Sequence, residues 1–190
     1  MRRICLIPAA IVICLNLACA RSNTAEVVIY TSVDQVFSEP VLQDFERETG
    51  IRVKAVYDVE ASKTTGLVNR LIAEKDHHKC DVFWNSEIGR TIALKQKGIL
   101  RPYRSPSAVD IPKQFRDEED YWTGFAARAR VLVYNTRLLS EDKVPRSIFN
   151  LTDKKWRSNF ALAYPLFGTT ATHMAALYVS LGKEKTEQYQ

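Results

Sequence analysis

Between residues 26 and 100 the chain alternates three times between a short strand-like run and a stretch with helical periodicity, and this alternation constrains the fold more than any other feature. Glu26 to Thr31 (EVVIYT) is β-branched and aromatic, as a strand requires. Phe37, Val41 and Phe45 then recur at helical spacing and Gly50 supplies a stop. Pro40 belongs in a first turn, which predicts a helix starting near Ser38. Ile51 to Tyr57 (IRVKAVY) alternates as a second strand, followed by a helix over 64–73 with Leu67, Leu71 and Ile72 on one face. Cys80 to Trp84 (CDVFW) reads as a third strand, and Glu87 to Lys97 as a third helix closed by Gly98. Consecutive strand–helix units of this kind build a mainly parallel, doubly wound α/β sheet.

The texture changes after residue 100. Residues 101–120 are rich in Pro, Ser and charge and read as a surface connection. Tyr121 to Asn135 (YWTGFAARARVLVYN) gives two strand-like runs meeting near Ala127, the second serving as a crossover strand. A strand over 159–163, a helix over 169–181 and a Lys/Glu-rich helical segment follow. This predicts a first α/β lobe over 21–135 and the beginning of a second over 136–190. About 50 residues follow Asn135. Too few apolar faces are present there to cover one another, which predicts an incomplete second lobe and a truncated chain.

The N-terminus predicts export. Arg2 and Arg3 precede an apolar run from Ile4 to Leu17, and Ala18-Cys19-Ala20 offers small residues for cleavage. Residues 1–20 therefore read as a signal peptide, too short for a retained membrane helix. Cleavage after Ala20 releases the chain; cleavage after Ala18 would leave Cys19 for lipidation. Of the four cysteines only Cys80 lies beyond this segment, so no internal disulfide is expected and Cys80 reads as a small buried residue.

Charge excludes one partner class. The chain has 27 basic and 22 acidic residues; without Arg2 and Arg3 the balance is 25 to 22, or +3. The charges are interspersed, with no basic block or aromatic interleaving suited to nucleic acid. A mild positive balance is compatible with an anionic ligand.

Four segments concentrate polar residues where an open α/β sheet binds ligands, beyond the carboxyl ends of strands. After the first strand come Ser32 and Asp34, the latter a hard oxygen donor; Asp34 or Ser38 could equally cap the next helix. After the third strand comes Glu87, either a ligand or a carboxylate complementing a helix N-terminus. Lys63, Thr64 and Thr65 in EASKTTG suit an anion or, more plainly, a capped helix with a solvated lysine. Gly168, Thr169 and Thr170 in FGTTATH form a small-residue turn that either presents N–H groups to an anion or simply starts a helix. Arg128 and Arg130 alternate onto one side of a predicted strand, where a cleft anion or a structural ion pair would hold them. His77, His78 and Cys80 lack metal-ligand spacing and read as an exposed loop and its boundary.

The strings VVIYTS, FERETGIRVKAVY, CDVFWNSE, GFAARARVLVYN, LTDKKW and AYPLFGTTATH occur in the order found in the ferric-ion-binding proteins of bacterial ABC importers, and the chain resembles their N-terminal half. The resemblance implies a type II periplasmic-binding fold of two lobes that close on a ligand without altering it. It implies Fe³⁺ as cargo, held with a synergistic anion, and no enzymatic cofactor. It places Asp34 and Glu87 as metal ligands and Arg128, Gly168, Thr169 and Thr170 toward the anion, to which Ser32, Lys63, Thr64 and Thr65 are added by their own chemistry and position. The spacing before Glu87 is one residue longer than the family's pattern, and the family's tyrosine pair has no counterpart among Tyr57, Tyr134 and Tyr164. The implied partner is an inner-membrane permease, served by a periplasmic monomer. Relatives with the same grammar carry sugar phosphates or phosphonates, which leaves an organophosphate as an alternative ligand; a truncated chain that binds nothing is another. An enzyme reading finds no nucleophile elbow, P-loop or zinc helix to support it.

Overall fold

The computed structural model describes residues 25–58, 65–166 and 168–189. The signal segment, Lys63 and Thr64 thus lie outside the described residues.

Three parallel strands, β1 (Glu26–Thr31), β2 (Arg52–Tyr57) and β3 (Val82–Trp84), form one sheet in the order β2-β1-β3. Glu26 lies opposite Arg52 and Thr31 opposite Tyr57, while Ile29 to Thr31 pair with Val82 to Trp84. Helices α1 (Gln35–Thr49), α2 (Thr65–Ala73) and α3 (Ile88–Gln96) follow the three strands in turn. The predicted strand–helix units are therefore present. Gly50 (φ 69°) and Gly98 (φ 66°) adopt the left-handed conformation that ends α1 and α3.

One core holds this unit together. Tyr30, Leu67, Val68, Leu71, Leu94 and Ile99 are buried together, with Val28, Val56 and Phe83 packed against them. The phenol of Tyr30, fully buried, donates to Glu74 Oε2 at 2.8 Å, and the Arg70 guanidinium lies 4.6 Å over its ring. Burial, then this hydrogen bond, pushes the Tyr30 hydroxyl up to about 12.

Helix α1 departs from expectation twice. It starts at Gln35, with Pro40 inside it rather than in the first turn. The Asp34 carbonyl accepts from the amides of Phe37 and Ser38, and Ser38 Oγ donates to the carbonyls of Val33 and Asp34. These bonds wind the turn before the proline, whose ring removes only a single bond further along. The apolar stripe also faces outward: Phe37 is 68% exposed and Val41 55%, whereas Ser38 and Leu42 are buried.

After α3 the chain runs through 3-10 turns at Pro106–Ala108 and Lys113–Phe115. Lys95 Nζ pins this connection, reaching Asp117 Oδ1 at 2.8 Å and Glu119 Oε1 at 3.1 Å. Arg116 and Thr123 form an isolated antiparallel bridge. The Gly124 amide donates to Phe115 O at 2.8 Å, an approach so close that a side chain at 124 would sit 3.2 Å from that oxygen.

The predicted crossover strand does not form among the described residues. Residues 124–135 carry no sheet pairing, and Val131 and Val133 are 72% and 90% exposed. The expected strand over 159–163 is likewise unpaired. The physical reason is shared: a strand exists by its ladder of hydrogen bonds to a neighbour, and no described strand runs alongside either segment. Helix prediction succeeds here, because helices bond internally. Helix α4 (Gly168–Leu181) and α5 (Lys183–Tyr189) form, and Met174, Leu177 and Tyr189 bury against Ile148, Leu151 and Leu181.

Candidate functional site

The carboxyl ends of β1 and β3 lie side by side because the Ser32 amide donates to Trp84 O at 3.1 Å. Thr31 is fully buried, and its hydroxyl accepts from the Val33 amide at 3.1 Å, which bends the chain away from the sheet. Ser32 is 2% exposed, and its buried hydroxyl has no partner among the described residues. Such a group costs about 1–3 kcal/mol unless something satisfies it. Asp34, half-buried, occupies the N-cap of α1, but its side chain makes no capping bond.

On the neighbouring strand end, Asn85 organises the turn into α3. Its side-chain oxygen accepts from the Glu87 amide, and its Nδ2 donates to Thr91 Oγ1 at 2.6 Å. Glu87 is thereby held at the N-cap of α3, where its carboxylate accepts from the Gly89 and Arg90 amides at 2.8 Å each. Two orphan donors of the helix end are satisfied by one carboxylate, which also suits the positive end of the helix. A side chain at Gly89 would place its Cβ 3.0 Å from Glu87 Oε1, so the capping carboxylate would have to give way by a few tenths of an ångström.

A third donor comes from far along the chain. Thr172 Oγ1 in the first turns of α4 donates to Glu87 Oε1 across 85 positions of sequence. Beside it, Arg130 Nη2 donates to Thr169 Oγ1 at 2.7 Å. Thr169 and Thr172 share a helix face by their i,i+3 spacing, so this face of α4 meets both groups. Phe125 closes one side, its ring 5.9 Å from that of Trp84 and tilted by 49°.

Of the residues singled out from sequence, Ser32, Asp34, Glu87, Gly168, Thr169 and Thr170 thus lie on the two strand ends and on the turn into α4. Thr170 is buried and Gly168 takes φ 55° at the helix start. Thr65 begins α2 and is half-buried. Arg128 is exposed, with no hydrogen bond or ion pair to the described residues; it is Arg130 that reaches α4. Thr172 was legible as the i+3 companion of Thr169. Nothing in the sequence marked Phe125 as the neighbour of Trp84.

His173, next to Thr172, is held below its ordinary value of 6.5 by burial and then by Arg130. The Cys80 thiol is pushed up to about 11, chiefly by burial, which disfavours a thiolate. No group of three or more His, Cys, Asp or Glu among the described residues is gathered closely enough to hold a metal ion. No helix among them is long and apolar enough to cross a membrane.

Comparison with known proteins now adds to this geometry. A family model described as bacterial extracellular solute-binding protein matches residues 90–189. The chain belongs to that family. Across 142 residues it is 25% identical to the Fe(3+)-binding periplasmic protein of Serratia marcescens, covering 75% of this chain and 41% of that protein. Across 166 residues it is 25% identical to the major ferric iron-binding protein of Neisseria meningitidis, covering 85% and 48%. The apo ferric ion-binding protein A of Pasteurella haemolytica superposes with a TM-score of 0.75 at 26% identity, covering 86% of this chain and 50% of that one. The fold is that of the type II periplasmic binding proteins, as the resemblance implied. The chain spans about half the length of the curated relatives it matches.

Proposed function

We propose that this protein is the extracytoplasmic solute-binding component of an ABC importer, capturing ferric iron together with a small anion. The observation that carries the reading is that the strand-end set, Ser32, Asp34 and Glu87, is joined to the helix-start set, Gly168, Thr169 and Thr170, through the hydrogen bond from Thr172 to Glu87. A ligand held by both sets stabilises their association, which is how a clamp gains affinity. The ferric binders of Serratia marcescens and Neisseria meningitidis supply the cargo.

In this reading Asp34 and Glu87 offer hard oxygen donors to Fe³⁺, with further ligands from outside the described residues. The anion rests on the N–H groups and hydroxyls of Gly168, Thr169 and Thr170, with Ser32 as a donor and Lys63, Thr64, Thr65 and Arg128 supplying charge and hydroxyls. Residues 21–135 act as one lobe and 136–190 as the start of the other. Residues 1–20 direct the chain to the periplasm, where as a monomer it delivers cargo to a permease in the inner membrane. The cargo leaves chemically unchanged, so the protein is a carrier and not an enzyme.

Equilibrium dialysis of the 190-residue protein against ferric citrate tests the proposal. We expect retained iron at about one ion per chain, rising when inorganic phosphate or carbonate is added. D34A should lower retention at least tenfold. A protein that retains no iron above a non-binding control overturns the reading.

A further inference from the structure

Glu87 and Thr172 join two parts of the chain that lie 85 positions apart in sequence. Glu87 is 8% exposed, so its oxygens have little access to solvent. A carboxylate offers about four lone-pair positions. Three are taken by the Gly89 amide, the Arg90 amide and the Thr172 hydroxyl, two of these on Oε1. Thr172 is therefore the one donor that is neither part of α3 nor needed to cap it. Arg130 meets Thr169 on the same helix face a turn away, tying α4 to the segment that follows Gly124, so Glu87 is the group that holds α4 at the end of β3.

We propose that the Glu87–Thr172 hydrogen bond is a latch: it docks the first turns of α4 onto the end of β3 and reserves one lone pair of Oε1. A cation seeking both oxygens of Glu87 must break it. Thr172 is then a positioning residue, acting through Glu87 and not by touching cargo. The gating part of this inference rests on the ferric reading above; the latch itself does not. A cation-binding carboxylate released from a competing donor gains a coordination position, so removing the hydroxyl strengthens ferric binding. The usual strength of a hydrogen bond to a charged group corresponds to an effect of about tenfold.

The test compares the 190-residue wild type with T172V, which keeps the side-chain shape, and T172S, which keeps the hydroxyl. Amide exchange followed by NMR in the absence of ligand reads the latch. In T172V the amides of Gly89, Arg90 and the first turn of α4 should all exchange several-fold faster, and T172S should restore them. If T172V disturbs α4 while Gly89 and Arg90 keep their wild-type rates, Thr172 is a packing residue and the latch is overturned. T172A provides the same comparison should the valine unfold the helix. Dialysis against ferric citrate reads the gate: T172V should retain iron about tenfold more tightly and T172S should match wild type. Equal or weaker retention by T172V overturns the gate. If the wild type retains no iron, the ferric reading and the gate fall together, while the exchange data still decide the latch.

Discussion

The stretch from β1 to α3 and the stretch after Gly124 have similarly apolar sequences, yet they are built differently. In the first, every strand has a parallel neighbour and Tyr30, Leu67, Leu71 and Leu94 share one core. In the second, the runs FAARARVLVYN and NFALAY join no sheet among the described residues, with Val133 90% and Tyr164 65% exposed. Among the described residues there, Met174, Leu177 and Tyr189 gather into a small cluster with Ile148, Leu151 and Leu181 packed against it. Apolar residues make a core only where the topology brings a second surface to them, and helices tolerate its absence better than strands do.

This contrast can be tested by mutation. The largest effect is expected from Leu94→Ala, at a side chain with no exposure. Removing it should cost about 3–4 kcal/mol, measured by urea unfolding of the first stretch. Amide exchange should then show faster opening of β1, α2 and α3 with α4 little changed; loss of protection in both regions together would show one cooperative unit and erase the contrast.

Tyr30→Phe should cost about 2 kcal/mol, since it removes a buried hydroxyl from a charged acceptor, Glu74. The same bond makes a pH prediction. The folded pKa lies above the unfolded one, so the contribution is complete below pH 10 and is lost as pH rises through about 12. Alkaline unfolding of wild type and Y30F should converge in that window; parallel curves would show that the phenol is not what titrates.

In the second stretch the pH dependence has the opposite sense. His173 is held below 6.5 by burial and Arg130, with its ring 5.8 Å from that of Tyr189. The unfolded chain therefore takes up the proton first as pH falls. Stability is complete above pH 6.5 and is lost below it as pH drops through the lowered value. Thermal unfolding of α4 between pH 7 and 5 should show this loss, and H173Q should flatten it. The smallest effect belongs to Val133→Ala, expected to change stability by less than about 0.5 kcal/mol. A larger cost would mean that this exposed run is covered in solution.

Legibility followed the range of the interactions. The three strand–helix units, the glycine stops at 50 and 98 and helices α4 and α5 were all readable, because each depends on bonds within one segment or its immediate neighbours. The rotation of α1 was not. Phe37, Val41 and Phe45 mark a helix correctly, but Ser38 and Leu42 face the sheet, since β2 and the turn at Val33–Asp34 choose the buried side. Arg128 and Arg130 looked equivalent from alternation, yet only Arg130 meets Thr169.

Glu87 shows the division most clearly. By itself the sequence determined that an acidic residue follows the third strand at the start of a helix, a position that local hydrogen bonding alone makes favourable. That its carboxylate also receives the hydroxyl of Thr172, 85 positions away, was decided only by tertiary structure. Nothing local in either segment specifies the other. The connection after α3 is pinned by Lys95 and carries the chain back past Trp84, Arg130 meets Thr169, and Thr172 on the same helix face then reaches Glu87.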